Sequence, residues 1–161
     1  MQLTQRYELA AALCAGKRVL DVGPAPDNAR EPLAVRAAEL VSWDPDSAPQ
    51  GHFDTVISLA GEPDEAALAE LERRANQGAR VLAAFERVGG ARRSPRAEPP
   101  AEDAARALAE RLSASVVLPQ FAMEGSMIGR LEEPPQVELH TDGTRDEDAA
   151  ALIVVSGFDR D

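Results

Sequence analysis

The sequence predicts a doubly wound α/β fold with a mostly parallel sheet and antiparallel strands at its C-terminal end. Short apolar runs alternate with amphipathic segments up to about residue 120, the pattern of repeated strand–helix units. The first run, Arg18–Val22, is apolar almost throughout, which is typical of a strand buried on both faces. The last third holds strand-like runs with little helix between them, which favours antiparallel pairing.

A helix, a strand and a second helix open the chain. Residues 3–15 carry an apolar stripe, and Gly16 suits the position just past a helix end. The strand Arg18–Val22 follows and leads into a turn that contains Gly23 and two prolines. We expect the second helix to begin at Pro32, because proline is favoured at the first helical position. Residues 24–31 then form a long connection.

The middle of the chain continues the alternation. Its predicted elements are a strand at Glu39–Trp43, a polar linker at Ser47–His52, a strand at Phe53–Leu59, a helix opened by Gly61–Asp64 and ended by Gly78, and a strand at Ala79–Phe85. Proline and acidic residues at the start of this helix and Arg73 and Arg74 in its last turn suit the helix dipole.

The remaining segments differ in character. Residues 87–100 lack apolar periodicity and are rich in arginine, glycine and proline, which predicts a loop. A helix at Ala101–Ser113 turns Leu108 and Leu112 inward. The expected strands after it are residues 116–118, a segment around Met127 and Ile128, residues 137–140, and Ala150–Ser156.

Composition restricts the function. The 161 residues suit a single domain, 1–161, and carry a net charge of −11, which opposes binding to nucleic acid or to anionic membranes. No apolar run is long enough for a membrane span, and no signal peptide is evident, so a cytoplasmic protein is expected. The single cysteine, Cys14, lies among alanines and is expected to be a small core residue. The richness in alanine, arginine and proline suits a high-GC bacterial source.

Several motifs occur in an order that resembles a known family. They are Val19-Leu20-Asp21-Val22-Gly23, Leu40-Val41-Ser42-Trp43-Asp44, Phe53-Asp54-Thr55-Val56-Ile57-Ser58-Leu59, and the helix from Glu65 with the strand Gly78-Ala79-Arg80-Val81-Leu82. Together they resemble the first motif, the second strand, the fourth strand and the next helix and strand of class I S-adenosylmethionine-dependent methyltransferases. The resemblance covers about residues 5–86 and implies a Rossmann-like fold.

The resemblance implies three cofactor-binding residues. Asp21 and Gly23 would flank the cofactor, and Asp44 would accept hydrogen bonds from its ribose hydroxyls, as an ionised carboxylate can. Each also has a structural interpretation. Asp21 orients the turn, Gly23 makes it, and Asp44 begins an Asp-Pro-Asp turn.

The chain also departs from the family's pattern. The family's first turn has glycines at alternate positions, but here Ala25 and Asp27 stand where the second and third would be. Pro24 and Pro26 remove two backbone N–H donors from the same turn. Residues 45–52 are too few for the helix and third strand that the family places there, so the adenine side of the pocket is expected to be missing or built differently.

Other chemistry-bearing residues suggest no site. His52 and His140 have no partner at metal-ligand or triad spacing, and Ser58 and Ser126 lack a nucleophile elbow, so no catalytic residue and no metal site is expected. The basic group Arg87, Arg92, Arg93 and Arg96 is interpreted as a solvated loop or as a dock for an acidic partner or an anionic ligand.

Two functional hypotheses remain. The first is a degenerate methyltransferase-like domain that binds no S-adenosylmethionine and acts by binding a protein partner or itself. The second is an active small methyltransferase that binds S-adenosylmethionine over Gly23, with Asp44 on the ribose. A nicotinamide-dinucleotide domain is a weaker alternative, because the missing glycines count equally against it.

Overall fold

The computed structural model describes residues 2–23, 25–47, 49–86, 101–112, 115–120 and 151–157. The helices are α1 (Gln2–Leu13), α2 (Asp27–Arg36), α3 (Glu65–Ala75) and α4 (Ala101–Arg111). The strands are β1 (Arg18–Asp21), β2 (Glu39–Ser42), β3 (Thr55–Ser58), β4 (Arg80–Glu86), β5 (Ser115–Gln120) and β6 (Ala151–Ser156). The segments expected around residues 127–128 and 137–140 and the arginine-rich residues 87–100 lie outside the described residues.

The strands form one sheet in the order β2-β1-β3-β4-β6-β5. The pairs β1–β2, β1–β3 and β3–β4 are parallel, while β6 runs antiparallel to both β4 and β5. This confirms the predicted Rossmann-like α/β fold with antiparallel pairing at the C-terminal end. Because the chain moves outward from β1 to β2 and then returns to β3 on the other side, the fold has its topological switch point between β1 and β3.

Two apolar layers cover the sheet. On one face, α1 and α2 bury a cluster that includes Tyr7, Cys14, Leu33, Ile57 and Leu82. The opposite face packs against α3 and α4 through a second cluster, which includes Leu20, Val56, Leu71, Val81 and Leu108. Successive residues of β1, β3 and β4 thus contribute to opposite faces, which explains why these strands are apolar throughout. Cys14, Leu108 and Leu112 are buried, as predicted.

The start of the second helix corrects the sequence prediction. α2 begins at Asp27, and Pro32 lies inside it. The carbonyl of Pro26 accepts hydrogen bonds from the backbone N–H groups of Ala29 and Arg30 and so opens the helix five residues earlier than expected. Ala29 and Leu33 bury one face of α2 on either side of Pro32, so packing sets the helix start in place of the local proline signal.

The connection from β2 to β3 is short, as the sequence indicated. Its described residues contain one 3₁₀ turn, Pro45–Ser47. Arg74 of α3 anchors the second half of this connection by donating hydrogen bonds to the carbonyls of Pro49 and Gly51, each over 2.7 Å. The guanidinium groups of Arg74 and Arg18 lie 4.8 and 4.4 Å from the ring centre of Phe53.

Within the described residues, no helix is long and apolar enough to cross a membrane.

Candidate functional site

The candidate site lies where β1 and β3 end, at the switch point of the sheet. Ligands of doubly wound domains bind in the crevice at this carboxyl edge. Asp21 is the last residue of β1, and Ser58 is the last residue of β3. The two strand ends are held together by a hydrogen bond of 2.8 Å from the backbone N–H of Val22 to the carbonyl of Ile57. Asp21 and Gly23 therefore lie at the carboxyl end of β1, in the predicted turn between a strand and a helix.

Asp21 is fully buried, and its carboxylate is held by three neighbours. The hydroxyl of Tyr7 donates to Oδ2 over 2.8 Å, and the backbone N–H of Gly23 donates to Oδ1 over 3.3 Å. The Nε of Arg30 lies 3.2 Å from Oδ2 and forms an ion pair with it. Both carboxylate oxygens are thus in contact with partners from the protein itself.

The titration of this group is governed by burial. Burial raises the pKa of Asp21 above its ordinary value, while the Tyr7 hydroxyl, the Arg30 charge and the Gly23 N–H act in the opposite direction. Burial, together with the nearby Asp21 carboxylate, also raises the pKa of Tyr7. Tyr7 therefore stays protonated at neutral pH and serves as a hydrogen-bond donor.

Arg30 connects the ends of β1 and β2. Its side chain comes from α2 and is 14% exposed. Besides the ion pair with Asp21, it donates a hydrogen bond of 2.9 Å from Nη2 to the hydroxyl of Ser42, the last residue of β2. Arg30 Nη1 is also 4.0 Å from the carboxylate of Asp27. The guanidinium group therefore lies across the carboxyl edge of two adjacent strands.

Arg6 makes an equivalent connection between β3 and β4. It comes from α1, and its side chain is only 1% exposed. Its Nη1 donates to the carbonyl of Leu59, just past β3, over 2.9 Å and to Oε1 of Glu86, at the end of β4, over 3.0 Å. Arg6 and Arg30 together link the carboxyl ends of the four parallel strands in two pairs.

The turn after β1 packs against the protein. A Cβ placed on Gly23 would lie 2.9 Å from Oγ of Ser58, so the absence of a side chain lets this turn approach the end of β3. Gly23 is not one of the described glycines with a positive φ. Ala25 is buried, whereas Asp27 is exposed. The structure thus gives Gly23 a packing role.

We expect Gly23→Ala to lower the free energy of unfolding by about 1 kcal/mol, because the new methyl group would overpack against Ser58. Ser58→Ala removes the hydroxyl that stands in the way. Adding Gly23→Ala to the Ser58→Ala protein should then cost clearly less than adding it to the unmodified protein. Urea unfolding of the four proteins in this cycle measures the difference, and equal costs in both backgrounds would show that Ser58 is not the cause.

Asp44 follows β2 and is exposed. Its Oδ1 accepts a hydrogen bond of 3.0 Å from the backbone N–H of Asp46, which forms the start of the 3₁₀ turn. The preceding Trp43 is half-buried, and its backbone N–H donates to the carbonyl of Asp21 over 2.8 Å. The Trp43 Nε1 is buried and has no hydrogen-bond partner among the described residues. Asp44 therefore lies just past the carboxyl end of β2 and makes the predicted turn contact.

Arg6, Tyr7 and Arg30 were not identified from the sequence as site residues. Tyr7 was assigned to the apolar stripe of α1, and Arg30 to a connection. The one weak sequence signal for Arg6 is its place next to Tyr7, which belongs to the apolar stripe of α1. His52 is exposed in the β2–β3 connection, while His140, Ser126 and the arginine group in residues 87–100 lie outside the described residues. Among the described residues, no three His, Cys, Asp or Glu side chains are grouped as metal ligands.

The chain is similar in fold to several solved structures. One of these is the protein-(glutamine-N5) methyltransferase, release factor-specific, from Alicyclobacillus acidocaldarius, with 14% sequence identity and a TM-score of 0.44 over 97% of this chain and 93% of that chain. No protein-family model matches the sequence, and no curated protein matches it. The fold class therefore stands on the strand order of the chain itself.

Proposed function

We propose that this chain is a degenerate methyltransferase-like domain that binds no S-adenosylmethionine and acts by binding another protein. The observation that carries the proposal is the internal pairing of the carboxyl edge by Arg6 and Arg30. In a cofactor-binding domain of this architecture, the polar groups at the ends of β1 and β2 are available to the ligand. Here Asp21 and Ser42 are both engaged by Arg30.

A cofactor would have to displace these contacts. Moving Arg30 away would leave the buried carboxylate of Asp21 without its counter-ion, which is costly in a site from which water is excluded. Ala25 is buried in the turn that the cofactor's amino-acid part would approach, and Gly23 is already packed against Ser58. The same groups that stabilise the fold thus oppose ligand entry.

The net charge and the outer edge of β2 both support a role in protein binding. The net charge of −11 favours basic partners and opposes nucleic acid. The β2 strand is at one end of the sheet, so its outer backbone edge is available for pairing within the described part of the chain.

The competing function is an active methyltransferase, which the exposed carboxylate of Asp44 at the end of β2 favours.

Titration with S-adenosylmethionine and S-adenosylhomocysteine tests the proposal. We expect no binding heat and no change in melting temperature with either ligand at up to about 1 mM. A dissociation constant of about 10 µM would instead stabilise the protein by about 2.7 kcal/mol at that concentration and raise its melting temperature by about 5 °C or more.

The control is Asp44→Ala, which removes the carboxylate that would bind ribose. Micromolar binding by the unmodified protein that is lost in this variant would overturn the proposal and establish a cofactor site. Glu62→Ala, at an exposed position in the connection before α3, serves as the matched substitution away from the edge.

A further inference from the structure

β2 is one of the two edge strands of the described sheet, and β5 is the other. β2 pairs with β1 through Glu39–Ser42, and none of the other described strands pairs with its opposite side. The backbone N–H and C=O groups on that side can hydrogen-bond to an added strand. The described residues of the β2–β3 connection contain one 3₁₀ turn, Pro45–Ser47, and no strand that would cover this side.

The two sides of this edge differ in chemistry. Leu40 packs with the cluster under α1 and α2, whereas Val41 and Trp43 pack with the cluster under α3 and α4. An added strand would alternate in the same way, because successive side chains point to opposite faces of a sheet. One set of its side chains would lie beside α2, and the other set beside Val41 and Trp43.

The side beside α2 is an acidic groove. It has a volume of about 490 Å³ and is lined by Asp27, Asn28, Arg30, Glu31, Ala34 and Leu40. The carboxylates of Asp27 and Glu31 are exposed, while the Arg30 guanidinium pairs with the buried Asp21 at 3.2 Å and lies farther, at 4.0 Å, from the carboxylate of Asp27. Just beyond the carboxyl end of β2, Asp44 and Asp46 are exposed as well. The groove therefore favours basic side chains.

The other side is apolar. Val41 and Trp43 are both half-buried, and the indole Nε1 of Trp43 is buried without a partner among the described residues. At the amino end of this side, Glu39 is paired with Arg18, so the pair adds little net charge. Apolar side chains of an added strand would cover Val41 and the exposed part of Trp43.

We propose that the outer edge of β2 binds an extended segment of a partner protein as an added strand, and that this segment alternates basic and apolar residues. The basic residues contact the groove at Asp27 and Glu31, and the apolar residues contact Val41 and Trp43. Backbone hydrogen bonds supply affinity, and the two differing sides supply specificity. This inference rests on the proposed interaction function and names its surface and the chemistry of its partner.

Trp43 provides a direct measurement, because it is the only tryptophan in the chain. The probe is a capped hexapeptide of alternating arginine and valine, and its titration is followed by Trp43 fluorescence. We expect a saturable change in emission. Glu31→Lys should weaken binding by about fivefold, because it replaces an attractive groove charge with a repulsive one. The matched control, Glu8→Lys on α1, makes the same charge change at another exposed position and should leave the affinity unchanged.

Two further peptides separate strand addition from simple charge attraction. A glutamate–valine peptide of the same length should not bind. An arginine–valine peptide with methylated backbone nitrogens keeps its charge but lacks the donors for pairing, and it should not bind either. The proposal is overturned if the methylated peptide binds as well as the unmodified one, if Glu31→Lys and Glu8→Lys weaken binding equally, or if no peptide binds at millimolar concentration.

Sedimentation of the protein alone tests the other occupant, a second copy of this chain. A dimer in which Trp43 becomes shielded as concentration rises would overturn the proposal of a basic partner. The outcome is independent of the cofactor test. Binding of S-adenosylmethionine would refute the proposed function directly, whereas failure of peptide binding in a protein that also binds no cofactor would refute only this inference.

Discussion

Arg74→Met is expected to lower the free energy of unfolding by about 3 to 5 kcal/mol, because it removes one partner of a buried ion pair. The Arg74 side chain is 4% exposed, and its Nε donates to Oε1 of Glu70 over 2.8 Å. Its other nitrogens hold the carbonyls of Pro49 and Gly51. Methionine keeps much of the packing volume but none of these hydrogen bonds.

The effect is expected to be large because the buried Arg74 side chain joins α3 to the β2–β3 connection. The carbonyls of Pro49 and Gly51 belong to the short β2–β3 connection, which is too short to fold as an independent element. Losing their donor leaves polar groups without a protein partner and loosens the cover over Phe53. The cost therefore combines a broken ion pair with a loosened connection.

Arg73→Met is the matched control, because Arg73 is the adjacent residue and bonds to the same carboxylate. Its side chain is 45% exposed and donates to Glu70 over 2.6 and 2.7 Å. An exposed pair of this kind contributes about 0.2 to 1 kcal/mol. Urea unfolding of both variants should show a several-fold difference in cost. Equal costs would mean that the buried contacts of Arg74 contribute no more than an exposed ion pair.

The same cluster gives an acid dependence. Burial alone would raise the pKa of Glu70, but hydrogen bonds and charges from Arg73 and Arg74 outweigh it and hold the pKa below the ordinary value of 4.5. Because the folded-state pKa is lowered, this stabilisation is present above pH 4.5 and is lost as the pH falls through the lowered value. Arg74→Met should therefore make stability less dependent on pH in this acidic range.

Much of the fold was predictable from local patterns. The strands β1, β3 and β4 can be predicted from their own residues, because a strand that is covered on both faces must be apolar on both faces. Gly16 and Gly78, predicted to follow α1 and α3, both adopt a positive φ that few other residues tolerate. Asp64, placed at the opening of α3, accepts a hydrogen bond from the backbone N–H of Ala67.

The contacts of Arg6 and Arg30 at the candidate site were not predictable in this way. Arg6 donates hydrogen bonds to groups that lie 53 and 80 positions away in the sequence. Local sequence patterns do not report contacts between residues so far apart. An arginine on an amphipathic helix is ordinarily expected in water. Arg30 was also misplaced because its helix was predicted to begin at Pro32. Once packing of Ala29 and Leu33 starts α2 at Asp27, Arg30 lies one turn into the helix, within reach of Asp21.

Asp21→Ala is expected to lower the free energy of unfolding by about 3 kcal/mol, because it leaves three groups without their shared partner. The Tyr7 hydroxyl is buried and would lose its acceptor. The Arg30 guanidinium would lose its counter-ion, although its partial exposure lets it move toward water and limits the cost. The N–H of Gly23 would lose the hydrogen bond that shapes the turn.

Tyr7→Phe separates the hydrogen bond from the charge. It removes the hydroxyl but leaves the carboxylate of Asp21 with Arg30 and Gly23, so the expected cost is about 1 to 2 kcal/mol. Burial raises the pKa of Asp21 above its ordinary 3.8, so its contribution to stability falls as the pH rises through that raised pKa. The Tyr7 hydroxyl stabilises the ionised form. The cost of Tyr7→Phe should therefore be greater at about pH 7 than at about pH 4.

The two variants together decide whether the ion pair of Arg30 with Asp21 stabilises the fold. If Asp21→Ala costs clearly more than Tyr7→Phe, the ion pair with Arg30 contributes to folding, and any ligand that displaces Arg30 must overcome that contribution. If the two costs are equal, Arg30 is free to move without penalty. The edge between β1 and β2 would then be open to a ligand, which would remove the main support for a degenerate site.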